Sequence, residues 1–339
     1  MTQLDDGIKV ERILSGKLRR YHHLTWWQHF TIPSVVFPNI LDGFFLLLGV
    51  VQSVIKLLFW RPDVVFAKGG FVCLPVGVAA KILGIPLVIH DSDAHPGLTN
   101  RLLSKWARTI GTGAPLKYYS YPESKAKYIG IPVGKAFRPL SDAQRQVKKA
   151  RLGFNPKMPL VVVTGGGLGA KRINDAVIKR LEPLLELSSV LLISGTAQYD
   201  ELQALAPQSD ERFQLHAFIS TGMAEILGCA DIVVARAGAT TILELAALAR
   251  PTILVPNGNL TGGHQLKNAA VYIDAGAVEV VDDRELEANP QLLVDAIGAL
   301  LANPLRQQQM ARAFHAMAKP DAASDMADMI EAAGAKKRP

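Results

Sequence analysis

Four clusters in this sequence carry side chains able to do chemistry. In IHDSDAHPGLTN (89–100), His90, Asp91, Asp93, His95 and Asn100 fall within one loop. Two carboxylates and two imidazoles at that spacing are the material of general acid–base catalysis. Turn chemistry with an N-cap at Thr99 or Asn100 is the competing use. In GGGLGA (165–170), glycines let the backbone approach a ligand, and a helix opening near Ala170 offers free N–H groups to a phosphate. The spacing is neither G-x-G-x-x-G nor a loop ending in G-K-[ST], so a Walker nucleotide site is excluded and a dinucleotide site disfavoured. A diphosphate loop of another kind, or a tight structural turn, remains.

The third cluster is RAGATTILE (236–244), with Arg236, Gly238, Ala239 and Thr240 at a helix start and Glu244 two turns in. Ile242, Leu243, Leu245 and Ala246 surround Glu244 in sequence. A carboxylate buried there must be paired or ligand-bound. The two vicinal hydroxyls of a ribose would satisfy it; a solvated helix face is the plainer reading. The fourth is HQLKN (264–268), whose His264, Gln265 and Asn268 suit sugar hydroxyls. There is no HExxH and no His/Asp cluster at metal spacing, so no metal site is expected.

Each cluster follows a segment that reads as a strand. Apolar runs at 63–70, 85–93, 109–113 and 128–134 alternate with helical patterns at 74–84 and 97–107. The rhythm resumes with strands at 159–165, 189–195, 213–219, 231–236, 251–256 and 277–283. Helical patterns over 170–186, 198–206, 221–229, 239–249, 264–275 and 290–302 fill the gaps. Such alternation builds doubly wound parallel sheets, whose ligands bind beyond the carboxyl ends of the strands. The division expected is a first domain over 1–140, a polar linker over 141–157 and a second domain over 158–317. A helix over 318–335 is expected to pack back on the first domain.

The 339 residues agree with two domains, and 49% hydrophobic with 20% charged residues excludes a disordered chain. The net charge of +7 is uneven: residues 1–150 hold 20 basic and 9 acidic side chains, the remainder 17 and 21. All four Trp (Trp26, Trp27, Trp60, Trp106) lie in the basic part. That part should face something anionic. KLRRYHHLTWWQHF (17–30) mixes Lys17, Arg19 and Arg20 with Tyr21, Trp26, Trp27 and Phe30, a membrane-surface signature placed ahead of a solvated charge run and of nucleic-acid stacking. The apolar stretch 35–60 is interrupted by Pro38, Asn39, Asp42, Gln52 and Lys56. It reads as a buried or interfacial helix, with a membrane span the minor alternative. Cys73 and Cys229 are far apart and read as reduced thiols. The N-terminus carries no secretory h-region.

Taken together, the chain resembles the GT-B glycosyltransferases that transfer GlcNAc from UDP-GlcNAc to undecaprenyl-diphosphate-linked muramoyl-pentapeptide, in peptidoglycan synthesis. The matching pieces are PDVVFAKGGFVCLP (62–75), IPLVIHDSDAHPGLTN (85–100), IGIPVG (129–134), VVTGGGLGAKRIN (162–174), FISTGM (218–223), ADIVVARAGATTILELAALARPTILVP (230–256) and HQLKNA (264–269). They keep family order over residues 60–330. The resemblance implies two Rossmann-like doubly wound domains, the first incomplete at its N-terminus. It implies a peripheral enzyme on the cytoplasmic face of the membrane. UDP-GlcNAc, the lipid-linked acceptor, an anionic membrane surface and other cell-wall synthesis proteins are the implied partners; no nucleic acid, cofactor or metal is implied.

Roles follow residue by residue. Ile219 would contact uracil, with Met223 beside it, and Glu244 would hold the ribose. Gly165, Gly166, Gly167, Gly169 and Ala170, with Gly238, Ala239 and Thr240, would bind diphosphate; Asn174 and Arg236 belong to the same substrate set. His264 and Gln265 would read the GlcNAc hydroxyls, supported by Asn268. Asp93 and Asn100 match the acceptor-side loop. Four departures stand out. Gly167-Leu168 replaces Ser-Gln, Gly134 with Lys135 next replaces an Arg, His90-Asp91-Ser92-Asp93 replaces His-Glu-Gln-Asn, and His264 replaces Gln. Nothing in 1–60 matches the family's opening GGTGGH loop, whose His is a candidate base. The resemblance therefore implies a start on the order of 50 residues late, with Asp91, Asp93 and His95 as substitute bases. A diacylglycerol acceptor, a UDP-sugar epimerase and a non-catalytic UDP-sugar binder are the alternatives.

Overall fold

The computed structural model describes residues 8–17, 32–166, 169–207, 209–258 and 263–335. The first unit runs α1 (Pro33–Trp60), β1 (Val65–Ala67), α2 (Cys73–Ile82), β2 (Leu87–Asp91), α3 (Leu98–Leu103), β3 (Thr109–Thr112) and β4 (Ala126–Tyr128). The second runs α4 (Asp142–Arg151), β5 (Leu160–Thr164), α5 (Lys171–Lys179), α6 (Leu181–Leu187), β6 (Ser189–Ile193), α7 (Tyr199–Leu205), β7 (Phe213–His216), α8 (Met223–Cys229) and β8 (Ile232–Ala235). It continues through α9 (Ala239–Leu248), β9 (Thr252–Leu254), α10 (His264–Ile273), β10 (Glu279–Val280), α11 (Asp283–Ala288), α12 (Gln291–Leu301), α13 (Pro304–Ala316) and α14 (Ala322–Gly334).

Both sheets are parallel throughout. The first has the order β1-β2-β3-β4, the second β10-β9-β8-β5-β6-β7. Strands such as LVVVT and SVLLI are buried at every position because helices cover both faces. In the second sheet the chain winds from β5 out to β7, then returns to β8 on the other side of β5. That reversal opens a crevice at the carboxyl ends of β5 and β8. Thr164 pairs with Ala235, so the loops after the two strands start side by side.

The apolar stretch forms the 28-residue helix α1, of which Val35, Gly49, Ser53 and Leu57 are buried. The expectation of burial is corrected: Phe37, Leu47, Phe59 and Trp60 are among many large apolar side chains left in solvent. Its polar residues hold an N-terminal strap. Gln52 accepts from Leu14 N at 2.8 Å through Oε1 and donates to Arg12 O at 3.2 Å through Nε2. Lys56, one turn on, pairs with Glu11. The bulk of the 17–30 patch lies outside the described residues.

The expected linker is instead helical over 142–151. Ser141 and Gln144 form a reciprocal capping box, a sequence signal for a helix start that the polar composition masked. Arg145 and Lys149 sit one turn apart and point inward. Both reach Asp231, Arg145 Nη1 at 2.9 Å, while Asp231 Oδ2 also accepts from Leu160 N at 2.7 Å. The helix is therefore docked on the second domain. Met326 and Met329 of α14 pack against Val88 and Ile129 of the first.

Asp231→Ala would leave Lys149 as an uncompensated buried charge and orphan Leu160 N–H. The expected loss is about 3–5 kcal/mol of stability, read as a lower denaturant midpoint with unchanged slope.

Candidate functional site

The crevice of the second sheet is built by backbone. A Cβ on Gly165 would come within 2.4 Å of Ala170 N, and one on Gly169 within 2.4 Å of Ser194 O. Gly169 also has φ +76°, which side chains resist. The loop is thus compressed onto the end of β6 and leads into α5, which no side chain caps. Helix α9 opens across the crevice at Gly238, again uncapped. Both helix ends leave N–H groups free and concentrate partial positive charge. Gly167 lies outside the described residues.

Glu244 is half-buried on α9, one turn beyond exposed Thr240 and on the same face. It has no hydrogen-bond or ionic partner among the described residues, and burial pushes its carboxyl above the usual range. Ile219 and Met223 pack on the core cluster that contains Ile242 and Ala246, which brings the β7–α8 loop beside α9. Of the sequence-predicted contacts, Gly238, Ala239, Thr240 and Glu244 lie at the mouth and along the first turns of α9, while Ile219 and Met223 pack on the core cluster beside it.

Two predicted ligand residues are spent on the scaffold. Asn174 donates to Ser194 O and to Gln198 Oε1, both at 2.9 Å, and is fully buried. Arg236 is buried, donates to Val255 O at 2.9 Å and pairs with Asp283, which Arg172 also holds. Asn174 lies on the buried face of α5, and Arg236, one residue past β8, is drawn to Asp283 and Val255.

Helix α10 meets the first domain at its loop after β2. His264 Nδ1 lies 3.5 Å from Asp93 Oδ2, and the His264 and His95 rings stand edge to face at 6.0 Å. Gln265 Oε1 accepts from Asn257 N at 2.8 Å, steadying the loop after β9. Asn268 donates to Asp93 Oδ1 at 3.0 Å and accepts from Ala94 N at 2.8 Å. Tyr119 fixes the same loop by donating to Asp93 O at 2.7 Å.

Asp91 is not the open acid–base group its sequence position suggests. It is buried, accepts from Asn100 Nδ2 at 2.6 Å and bonds Tyr121. Burial raises its carboxyl despite those bonds. Asn100 is buried too and also donates to His90 O at 3.0 Å. Burial lowers His90 to about 4, so it is neutral at pH 7, its Nε2 2.8 Å from Gly130 O. His95 is lowered by burial first, then by the nearby Lys267. Asp93 remains the carboxylate at the domain junction, with 43% of its side chain exposed.

Sequence reasoning missed a groove of about 440 Å³ beside this loop, lined by Lys17, Lys68, Gly69, Gly70 and Phe71 as well as Asp91–Asp93. The glycine pair after β1 was its signal; Lys17 is brought there by the strap, which Ser15 Oγ ties to Phe71 O at 2.9 Å. Among the described residues no group of three or more His, Cys, Asp or Glu side chains is placed to hold a metal.

Residues 2–112 match the glycosyltransferase family 28 N-terminal domain and residues 160–326 the family's C-terminal domain. The chain is 36% identical over 276 residues to an Exiguobacterium UDP-N-acetylglucosamine–N-acetylmuramyl-(pentapeptide) pyrophosphoryl-undecaprenol N-acetylglucosamine transferase, covering 80% of this chain and 74% of that one. It is 32% identical over 330 residues to the Clostridium kluyveri protein of the same name, covering 96% and 86%. The crystal structure of Acinetobacter baumannii MurG superposes with TM-score 0.68 at 26% identity, covering 86% of this chain and 79% of that one.

Because the folded Glu244 carboxyl titrates above its unfolded value, the native state binds the extra proton, and stability falls as pH rises through that window. Glu244→Gln removes the buried charge. Its melting temperature should exceed the parent's at pH 7, and the gain should vanish below pH 4.

Proposed function

The chain belongs to glycosyltransferase family 28, and from that premise we propose that it transfers GlcNAc from UDP-GlcNAc to undecaprenyl-diphosphate-muramoyl-pentapeptide with inversion. The observation that carries the donor assignment is Glu244: a half-buried carboxylate with no partner among the described residues, on the face of α9 that leads to its free N-terminus. A ribose's two hydroxyls satisfy the carboxylate, and the diphosphate meets N–H groups at the starts of α5 and α9. Ile219 and Met223 stand beside them for the uracil. His264 at the start of α10 faces the junction, where the sugar would lie to meet an acceptor, and Gln265 beside it in sequence steadies the loop after β9.

In the reaction, an acceptor hydroxyl oxygen attacks the anomeric carbon as the bond from that carbon to the diphosphate oxygen breaks. Charge grows on the departing UDP, and the two helix ends stabilise it without reorganising. We assign the proton to Asp93, because Asp91 is enclosed by Asn100 and Tyr121, while Asp93 faces the cleft. The groove lined by Lys17, Lys68, Gly69 and Gly70 flanks Asp93. Its two lysines and glycine backbone suit the acceptor's diphosphate.

The exposed face of α1 supports an interfacial anchor. It presents Phe37, Ile40, Phe44, Leu47, Val51 and Phe59 to solvent, while the opposite face is tied to the strap and α2. A helix pinned along one face lies in the headgroup layer rather than crossing it.

Labelled GlcNAc should pass from UDP-GlcNAc into lipid-linked muramoyl acceptor; absence of transfer by the wild-type protein would overturn the assignment. Glu244→Ala should lower kcat/KM by about 10²-fold or more, as loss of a hydroxyl-binding partner does, and Asp93→Asn should lower kcat by about 10²–10⁴-fold. Phe44→Ser with Phe59→Ser should weaken sedimentation with anionic vesicles by about tenfold or more.

A further inference from the structure

Asn268 is 3% exposed and uses both amide hydrogens and its carbonyl oxygen within the protein. Oδ1 accepts from Ala94 N at 2.8 Å. Nδ2 donates to Asp93 Oδ1 at 3.0 Å and to Ala237 O at 3.1 Å. The first two partners belong to the loop after β2 in the first domain. The third belongs to the second domain, one residue ahead of Gly238, where α9 opens. One carboxamide therefore joins the acceptor-side loop, the helix α10 that carries it and the mouth of the diphosphate crevice.

The surroundings are closely packed. Ser92, Ala94 and Ala114 of one domain face Ala239, Ile242 and Tyr272 of the other around a cavity of about 10 Å³, the lower limit for one water. A bond lost here is poorly replaced by solvent, and Ala94 N–H and Ala237 C=O would be left unsatisfied. With both N–H groups committed, Asn268 has no donor left for a sugar hydroxyl.

Resting on the transfer reaction above, we infer that Asn268 is a positioning residue: it sets the distance between Asp93 and the donor's leaving group by pinning the two domains, and it does not bind the sugar. The inference predicts a separation of effects. Glu244, Ile219 and both free helix ends lie in the second domain, so donor affinity survives loss of the pin. Turnover does not, because misplacement of a reacting group by 1 Å costs about 10²-fold.

The test compares the wild-type protein with Asn268→Leu, similar in size and without hydrogen bonds, and Asn268→Asp, which keeps the bond from Ala94 N. Calorimetry measures UDP and UDP-GlcNAc separately, and a transfer assay gives kcat. Nitroxides at Lys127→Cys and Glu182→Cys, in a Cys73→Ala background, report the interdomain distance. For Asn268→Leu we expect both ligands to bind within about threefold of wild type, kcat to fall about 10²-fold and the distance distribution to broaden. Asn268→Asp should lower kcat at least as far as Asn268→Leu, because its carboxylate would face Asp93 Oδ1 and Ala237 O where Nδ2 now donates. Selective loss of UDP-GlcNAc affinity over UDP by tenfold or more would overturn the inference by making Asn268 a sugar ligand. Unchanged kcat would overturn it as well, and so would loss of UDP binding in both variants. Should the wild-type protein transfer nothing, the glycosyltransfer reading fails by itself. The distance measurement then still decides whether Asn268 pins the domains.

Discussion

A parallel sheet has a direction: all its strands end along one edge, and every loop that follows a strand emerges there. Here two such sheets turn those edges toward each other, and the rest of the site depends on that constraint. It brings a glycine loop, a helix mouth and an amide-bearing helix from the second domain opposite an acidic loop from the first. The edges meet through packing of Ala94 and Ala114 on Ile242 and Tyr272, and through polar contacts of Asn268 and His264 with the loop of Asp93, with Tyr118 OH adding a bond to Asp274 Oδ2 at 3.2 Å. The strength of each sheet lies within its own domain, while the geometry needed for chemistry lies between domains.

The charge distribution acquires a physical sense from this arrangement. The second domain is net acidic, and the diphosphate seat proposed for it requires no lysines, because it would be made of backbone N–H groups and helix ends. Its charged side chains work elsewhere: Asp231 anchors α4, and Arg236 with Asp283 braces the end of β8. The first domain carries the excess of cations, with Lys17 and Lys68 at the groove beside Asp93. Beside them runs α1, apolar on its outer face. Gln52 and Lys56, which break the apolar run in sequence, turn out to grip the backbone and side chain of the strap. The same residues that argue against a bilayer span also fix how the helix is oriented.

Much of the fold was legible. The strands lie in apolar runs bounded by glycine or polar turns except β4, which forms at Ala126–Tyr128, ahead of the run at 128–134 where a strand was expected, and the glycines at 165 and 169 mark a loop that only glycine can make. Glu244 was legible as a carboxylate stranded among Ile242, Leu243 and Leu245. The helix over 142–151 was obscured because its composition is basic, and composition says nothing about a partner such as Asp231, 82 residues from Lys149. Asn174 and Arg236 looked like ligands because they sit near strand ends, but direction on the pleat or helix face decides whether a side chain enters the crevice or braces its back.

By itself the sequence determined the periodicities, and through them two doubly wound units, the glycine loops and the set of polar residues available at strand ends. Those properties are local: hydrophobic spacing and backbone preference are written in neighbouring residues. Only the tertiary structure decided which polar residues are spent on holding the scaffold and which remain open. Asp91 closes on Asn100 and Tyr121, Asn268 on Ala94 and Ala237, while Asp93 keeps exposed carboxylate surface and Glu244 stays half-buried without a partner among the described residues. That division depends on partners distant in the chain, and a hydrogen bond can be satisfied only by the group that folding brings within reach.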